Sequence, residues 1–171
     1  MKNFFSRISA FALIWTLLMP SCSNDEYTPM PATSKSCNIE IEFLDQRGDD
    51  LLAEKAFADN IRVEGNTSHS TIKHSIRREG TNSILCFEAD IPERGDMKWS
   101  ADKNQASGIS HLTVKYGKQK AKMKCYFKFT ANRPPASTGG TLILESVEYN
   151  NRSYSRTGNI VLITIKATAN K

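Results

Sequence analysis

The feature that most constrains the fold is a strict alternation of residue types between Lys122 and Phe129. Apolar side chains occupy every second position, at Met123, Cys125, Phe127 and Phe129, and the positions between them hold Lys122, Lys124, Tyr126 and Lys128. Successive side chains of a strand point to opposite faces of its sheet. A period of two therefore predicts a long strand with one face in a core and the other in water.

The same alternation recurs near both ends of the chain. In residues 37–43 the odd positions are apolar, and Glu40 and Glu42 are predicted to face water. In residues 160–167 the side chains of Val161, Ile163 and Ile165 share one face. Other strands are predicted at residues 61–64, 71–78, 83–89, 109–116 and 120–130.

Turn signals separate these strands. Gly117-Lys118-Gln119 joins two long strands into a predicted hairpin, and Asn150-Asn151 predicts a second turn. The apolar phase changes between Leu144 and Val147, which predicts a β-bulge near Glu145-Ser146. Eight or nine short strands without a long helix indicate an all-β fold.

We therefore expect an antiparallel β-sandwich with an immunoglobulin-like arrangement over residues 37–171. The longest turn-rich stretch, residues 131–140, contains Pro134-Pro135 and Gly139-Gly140. Sandwich loops commonly carry recognition while the sheets hold the shape, so this loop is a candidate for binding.

The start of the chain predicts export. Two basic residues precede an apolar run over residues 8–19, which is shorter than the ~20 residues of a membrane span and suits a signal peptide over residues 1–21. The segment Leu18-Met19-Pro20-Ser21-Cys22 resembles a bacterial lipoprotein lipobox. That resemblance implies a diacylglycerol on the sulfur of Cys22 and attachment to a membrane. Plain secretion with an incidental cysteine is the alternative.

The residues after Cys22 bear on location. Ser23-Asn24-Asp25-Glu26 is similar to the surface-export signal of lipoproteins from the Bacteroidales, which implies a surface-exposed protein anchored to the outer membrane. The alternative is a merely soluble tether. Residues 22–36 lack periodicity and include Pro29 and Pro31, so they are predicted to form the lipidated N-terminus and a flexible tether.

The charge and cysteine content limit the classes of partner and the number of disulfides that we expect. The formal charge of +5 includes Lys2 and Arg7, so +3 remains after residue 21. Such a mild charge on an exported protein does not favour nucleic acid. Once Cys22 carries lipid, Cys37, Cys86 and Cys125 remain, which are too few for a disulfide framework, and their disulfide state stays open.

No catalytic residue, metal site or cofactor is predicted. The three histidines, His69, His74 and His111, lack the spacing of a metal motif. There is no Gly-x-Ser-x-Gly motif, and Cys125 shares the core phase, where a thiol is inert. Scattered carboxylates leave a hydrolase as a less favoured alternative.

A group of acids near the first strand has two interpretations. Asp45, Asp49, Asp50 and Glu54 form either a calcium loop or a turn. The ligand spacing of an EF-hand is absent, and aspartate is a leading turn residue, so we expect a turn. Residues 51–59 are predicted to make one or two helical turns.

The most pronounced predicted surface feature is a set of lysines, here called the lysine comb: Lys115, Lys118, Lys120, Lys122, Lys124 and Lys128. At a period of two these side chains project from one face of the hairpin. Lys118, Lys120, Lys122 and Lys124 are the candidate anion-binding residues, for lipopolysaccharide phosphates or acidic glycans. Protection of a sheet edge is the simpler alternative. Glu40 and Glu42 could also neutralise Lys122 and Lys124 across strands.

Three aromatic residues offer a second candidate surface. Trp99, Tyr149 and Tyr154 could form a stacking platform for a sugar. Because Trp99 shares its phase with Met97, a core tryptophan of the kind common in sandwiches is the alternative.

A family resemblance spans most of the chain after Cys22. The opening motif Phe43-Leu44-Asp45 followed by Gly48-Asp49-Asp50-Leu51-Leu52 resembles the start of small Bacteroidales envelope lipoproteins of unknown function. Lys124-Cys125-Tyr126-Phe127 and Val147-Glu148-Tyr149-Asn150 are similar in order and spacing. The resemblance implies an envelope β-sandwich lipoprotein and supplies no catalytic residues.

These observations predict a non-enzymatic, membrane-anchored envelope lipoprotein that binds a glycan or a partner protein through sandwich loops. The alternative is a structural or accessory subunit of a surface fibre, which would interact through a strand edge.

Overall fold

The computed structural model describes residues 27–132 and 139–167, and these residues form a sandwich of two sheets. In chain order the strands are β1 (Ser34–Ser36), β2 (Asn38–Leu44), β3 (Ile61–Gly65), β4 (Ser70–Ile72), β5 (His74–Glu79), β6 (Asn82–Glu88), β7 (Lys98–Trp99), β8 (Gln105–Tyr116), β9 (Gln119–Ala131), β10 (Gly140–Tyr149), β11 (Arg152–Ser155) and β12 (Ile160–Lys166). A short helix, α1 (Lys55–Ala58), and two 3-10 turns, Leu51–Ala53 and Arg94–Asp96, complete the described elements.

The large sheet has the order β1-β10-β9-β8-β3-β4, with β11 beside β10 and β7 beside β8. The small sheet has the order β12-β2-β6-β5. The predicted all-β sandwich is confirmed. The sheets are mixed rather than purely antiparallel, because β1 runs parallel to β10 and β2 runs parallel to β12. The immunoglobulin-like arrangement stays a prediction.

The core lies between the inner faces of the two sheets. Ile39, Ile41 and Phe43 of β2 are each 0% exposed, and Phe127 and Phe129 of β9 meet them from the other side with at most 1% exposed. Burial of each such side chain contributes roughly 1.5–3 kcal/mol to folding. The period-two patterns therefore predicted the inward residues of both strands correctly.

The long hairpin, β8 and β9, organises the large sheet. Tyr116 pairs with Gln119 across the turn, and Gly117 adopts the positive φ of 56° that this tight turn needs. The predicted hairpin is confirmed, but β8 begins at Gln105, four residues before the predicted start. The sequence pattern does not predict this extension, because Gly108 interrupts the apolar alternation. A Cβ there would collide with the sulfur of Met97.

The predicted bulge and the second turn are both present. The register between β9 and β10 shifts between Leu144 and Ser146, so Glu145 is the extra residue. Asn150 and Asn151 have φ values of 49° and 60°, as a two-residue hairpin turn requires.

Two predictions about the path of the chain are wrong. Residues 71–78 were expected to form one strand, but the chain changes sheets at Lys73, from β4 in the large sheet to β5 in the small one. An alternating pattern cannot reveal a change of sheet, because it continues across the bend.

Within the described residues, no helix is long and apolar enough to cross a membrane.

The second correction concerns the tether. Residues 22–26 lie outside the described residues, but residues 27–36 belong to the folded domain. Met30 is 2% exposed, and the Tyr27 hydroxyl donates to the Ile91 carbonyl at 2.7 Å. The Thr33 amide donates to the Gly140 carbonyl at 2.9 Å. A flexible tether over this part is therefore wrong, because long-range backbone bonds hold a segment that lacks any local periodicity.

Candidate functional site

The outward side chains of the long hairpin form one continuous surface, here called the basic face. It comprises Lys98, Ser107, Ile109, His111, Lys115, Lys120, Lys122, Lys124, Tyr126 and Lys128. Directly opposed pairs on it include His111 with Lys124 and Lys115 with Lys120. The strand lysines of the comb share this face as predicted, and Lys118 lies in the turn at its tip.

Most of these lysines form no ion pair with an acid in residues 27–132 or 139–167. Among the described residues of the comb, only Lys115 forms an ion pair, in which its Nζ lies 2.6 Å from Glu64 Oε1. Lys124 Nζ lies 5.1 Å from the centroid of the Tyr126 ring, and the Tyr126 hydroxyl donates to Glu148 at 2.7 Å. Tyr126 chiefly, and Glu148 to a lesser degree, raise the pKa of Lys124. That side chain therefore stays charged at neutral pH.

The predicted neutralisation of the comb by Glu40 and Glu42 is wrong. Both acids lie on β2 of the small sheet, whose outer face points away from β9. Glu40 Oε1 accepts a hydrogen bond from Arg77 at 2.9 Å, and Glu42 accepts one from Thr164 at 3.2 Å. Glu40 is also buried, with 7% exposed, rather than facing water as expected.

Edge protection explains only part of the comb. β9 pairs with β10 from Lys124 to Ala131 and with β8 along its whole length, so Lys124 and Lys128 lie on interior strand segments. Lys120 and Lys122 lie beyond the end of β10, where β9 has one partner and where lysines protect an edge. The lysines on the interior segment need another explanation.

The described residues of the basic face line two clefts. The first, here called the His111 cleft, has a volume of about 550 Å³. Its polar lining consists of Asn66, Thr67, His111, Lys122, Lys124, Glu148, Asn150 and Asn151. By strand order, the first two lie on the β3 side of the hairpin and the last three on the β10 side.

The β3 side of the His111 cleft is fixed by hydrogen bonds. The Asn66 amide donates to the His111 carbonyl at 2.9 Å, and the His111 amide donates to Thr67 Oγ1 at 3.0 Å. Thr113 Oγ1 donates to the side chain of Asn66 at 3.1 Å. The carboxylate of Asp90 also accepts from the Thr67 amide at 2.8 Å. This wall of the cleft is therefore held in place before any ligand arrives.

The second cleft, here called the Trp99 cleft, lies at the other end of the basic face, with a volume of about 440 Å³. Lys98 and Trp99 of β7 line one side, Lys128 lies on its floor, and Glu145 of the bulge lines the other side. The Trp99 ring packs edge-on against Phe129 at 5.7 Å on the inner face of the sheet, so the half-buried indole points away from Lys98 and Lys128. The bulge thus places the acid Glu145 beside Lys128 in this cleft.

The predicted stacking platform does not form as one surface. Trp99 lies against Phe129, whereas Tyr149 lies at the opposite end of β10 beside Tyr116. Burial and the neighbouring Tyr149 raise the pKa of Tyr116 to about 12. All three predicted platform residues pack partly against the core, as the alternative for Trp99 proposed.

Other candidate residues serve the fold. Asp45 Oδ1 accepts from the amides of Arg47 at 2.7 Å and Asp49 at 2.9 Å, and these backbone bonds lower its pKa. Asp50 accepts from the Leu52 amide at 2.8 Å and the Ser83 amide at 2.7 Å. The turn interpretation of this acid group is confirmed. Within residues 27–132 and 139–167, no group of three His, Cys, Asp or Glu side chains is arranged to hold a metal.

The cysteines of the described region are free. Burial raises the pKa of Cys125 to about 12 and that of Cys37 to about 11, so both are inert core thiols. Cys86 is half-buried on the outer face of the small sheet, and burial followed by the charge of Glu40 raises its pKa. No described cysteine has the lowered pKa of a nucleophile.

The predicted recognition loop, residues 131–140, lies mostly outside the described residues. Its two ends are joined by a bond from the Asn132 amide to the Gly139 carbonyl at 3.2 Å. Cys22 also lies outside the described part of the chain.

Sequence reasoning missed the asparagines that wall the His111 cleft. Asn150 and Asn151 gave only a turn signal, and Asn66 belongs to a polar loop whose neighbour across the sheet could not be read from the pattern.

No family model, curated protein or solved structure matches this chain. The resemblance to Bacteroidales lipoproteins stays a prediction.

Proposed function

We propose that this protein is a non-enzymatic envelope lipoprotein whose basic face binds an anionic glycan. The observation that carries the proposal is the pair of clefts on a face where Lys120, Lys122 and Lys128 have no described acidic partner. Free cations on a fixed surface raise the local concentration of anionic ligands.

The chemistry of the clefts favours a sugar bearing charge over a simple ion. Lysine ammonium groups supply attraction to carboxylate or sulfate, at roughly 1 kcal/mol for each lysine near an anionic surface. Asn66, Asn150 and Asn151 supply amides that both donate to and accept from hydroxyl groups. The Trp99 ring adds nothing to this surface, because it packs on Phe129 at the inner face of the sheet, opposite Lys98 and Lys128. This combination of cations and amides suits a polyhydroxylated acid.

The binding test uses the purified full chain in a nonionic detergent. We expect it to bind immobilised polygalacturonate and heparin, with affinity that falls steeply as salt rises, and not to bind neutral dextran. Equal binding to dextran, or no binding to either anionic polymer at low salt, would overturn the proposal.

Lipid attachment at Cys22 and exposure at the outer membrane belong to the same proposal. They rest on the signal-like leader and the lipobox resemblance. Metabolic labelling with a fatty acid should mark the wild-type chain and leave Cys22→Ser unlabelled, with the variant appearing in the soluble fraction. Protease treatment of intact cells should then remove the wild-type domain. Unlabelled wild-type protein would contradict the anchor without bearing on glycan binding.

A second candidate is a subunit of a surface fibre, favoured by one observation. β5 is one of the two edge strands of the small sheet as described, and all six of its residues are exposed. A free edge can accept a strand from another chain. If the purified chain stays monomeric at high concentration and is missing from isolated fibres, this candidate fails.

A further inference from the structure

We infer that the ligand of the basic face is a linear polyanionic glycan that lies along β8 and β9 and occupies both clefts at once. The inference rests on the proposed function and adds the length and direction of the ligand. A single acidic sugar would fill one cleft and leave the other empty.

The spacing of the clefts sets the length. Lys122 lines the His111 cleft and Lys128 lines the Trp99 cleft, and both are on the same strand. Six residues of strand at ~3.3 Å each separate them by about 20 Å. A disaccharide cannot span that distance, whereas a chain of several sugars can.

The surface between the clefts is continuous with both. Ile109 and Tyr126 are paired across the hairpin at this point, and Ile109 is 39% exposed. An exposed aliphatic side chain beside a half-buried tyrosine suits the C–H faces of sugar rings. The nearby carboxylate of Glu148 already accepts the Tyr126 hydroxyl, so its charge is partly satisfied.

The walls of the clefts set the direction. The His111 cleft has Asn66 and Thr67 on one side of the hairpin and Asn150 and Asn151 on the other. The Trp99 cleft lies between β7 and the bulge residue Glu145. Both pairs of walls flank the strands, so the open path runs along them. The lysines then follow the ligand at intervals of about 6.6 Å or multiples of that spacing.

The test measures the affinity of the purified full chain for oligogalacturonates, from the disaccharide to about ten sugars. We expect the affinity to rise at least 100-fold between the disaccharide and the longest oligomer, because the second contact becomes intramolecular once the chain spans both clefts. Lys122→Ala and Lys128→Ala should each weaken the long oligomer about tenfold. The affinity for the disaccharide should fall in no more than one of these two variants.

The controls separate this inference from the proposed function. Lys35→Ala and Lys73→Ala, on exposed lysines outside the basic face, should leave the long oligomer unaffected. Equal affinity for short and long oligomers, after allowing for the number of sites per chain, would overturn the extended ligand and leave anion binding intact. Failure of every oligomer, of polygalacturonate and of heparin at low salt would overturn the proposed function itself. Equal binding of polyphosphate of matched length would overturn the glycan class.

Discussion

The outer faces of the two sheets show two uses of surface charge. On the basic face of the large sheet, Lys120, Lys122 and Lys128 have no described acidic partner. On the small sheet, Glu40 is bound by Arg77, and Glu42 accepts a hydrogen bond from Thr164. Glu40 and Glu42 of the small sheet are therefore bound by their own neighbours, whereas Lys120, Lys122 and Lys128 of the large sheet are not paired with a described acid.

Burial makes the same distinction. The Glu40 side chain is 10% exposed beside an Arg77 side chain that is 54% exposed. A nearly buried carboxylate needs its partner, because a buried charge without one is costly. Lys120 and Lys122 of the basic face are exposed to water and need no protein partner. The number of charged residues on a face therefore indicates ligand binding less well than whether those residues already have partners in the protein.

The largest expected effect comes from reversing the charge of three lysines on the basic face. The triple variant Lys120→Glu, Lys122→Glu and Lys124→Glu should weaken binding to polygalacturonate by at least roughly 100-fold, at about 1 kcal/mol or more for each lysine. Binding at several salt concentrations measures the effect. The matched control reverses Lys35, Lys73 and Lys166 on other surfaces, for the same change in net charge. An equal loss in the control would show that net charge, and not the face, attracts the ligand.

The free energy of unfolding should also distinguish the two faces, but here the larger effect is expected from a substitution on the small sheet. Arg77→Met leaves Glu40 without its ion-pair partner and should lower the free energy of unfolding by about 1–2 kcal/mol. Lys122→Met, on the basic face, should change it by less than about 0.5 kcal/mol. Denaturant unfolding followed by fluorescence gives both values. Adding Glu40→Gln to Arg77→Met should recover part of the loss, and no recovery would mean that packing by the Arg77 stem dominates.

The smallest expected effect is on thiol reactivity. In a Cys22→Ser background, Cys86 is the most accessible thiol, and its raised pKa should keep alkylation slow at pH 7.5 and accelerate it as pH rises through the thiol pKa. Glu40→Gln removes a charge that raises this pKa and should speed the reaction a few-fold. The measurement is the alkylation rate as a function of pH. Cys37 and Cys125 should react only after unfolding.

A thiol placed on the other face extends the same prediction. Ser107→Cys, in a Cys86→Ser background, would lie between Lys98 and Lys128. The two ammonium groups favour the thiolate, so this cysteine should be alkylated roughly tenfold faster than Cys86 at pH 7.5. Equal rates would mean that the two faces do not differ in local potential.

Sequence patterns predicted the elements whose signals are local. The inward face of β9, the hairpin turn at Gly117 and the bulge at Glu145 depend on residue periodicity and turn chemistry within a few positions. Each of these was present in the structure. The orientation of the lysines followed directly from the strand prediction.

The pairings between distant segments could not be predicted. Alternation allows Glu40 and Glu42 to pair with Lys122 and Lys124, because it places all four on outward faces, but it cannot show that the outward faces of the two sheets point in opposite directions. The local sequence of residues 27–36 predicts a tether, because the bonds that hold them come from Ile91 and Gly140 far along the chain. The walls of the His111 cleft come from two loops or turns that are far apart in the sequence, at Asn66-Thr67 and Asn150-Asn151, and could not be predicted for the same reason.

The most direct test of the central claim is a map of lysine protection. The full chain is acetylated with and without polygalacturonate, and the modified lysines are quantified by mass spectrometry. The account predicts that Lys122, Lys124 and Lys128 lose reactivity several-fold when the polymer is bound, while Lys73 and Lys166 do not change. Equal protection of both groups, or protection of Lys73 and Lys166 alone, would contradict it.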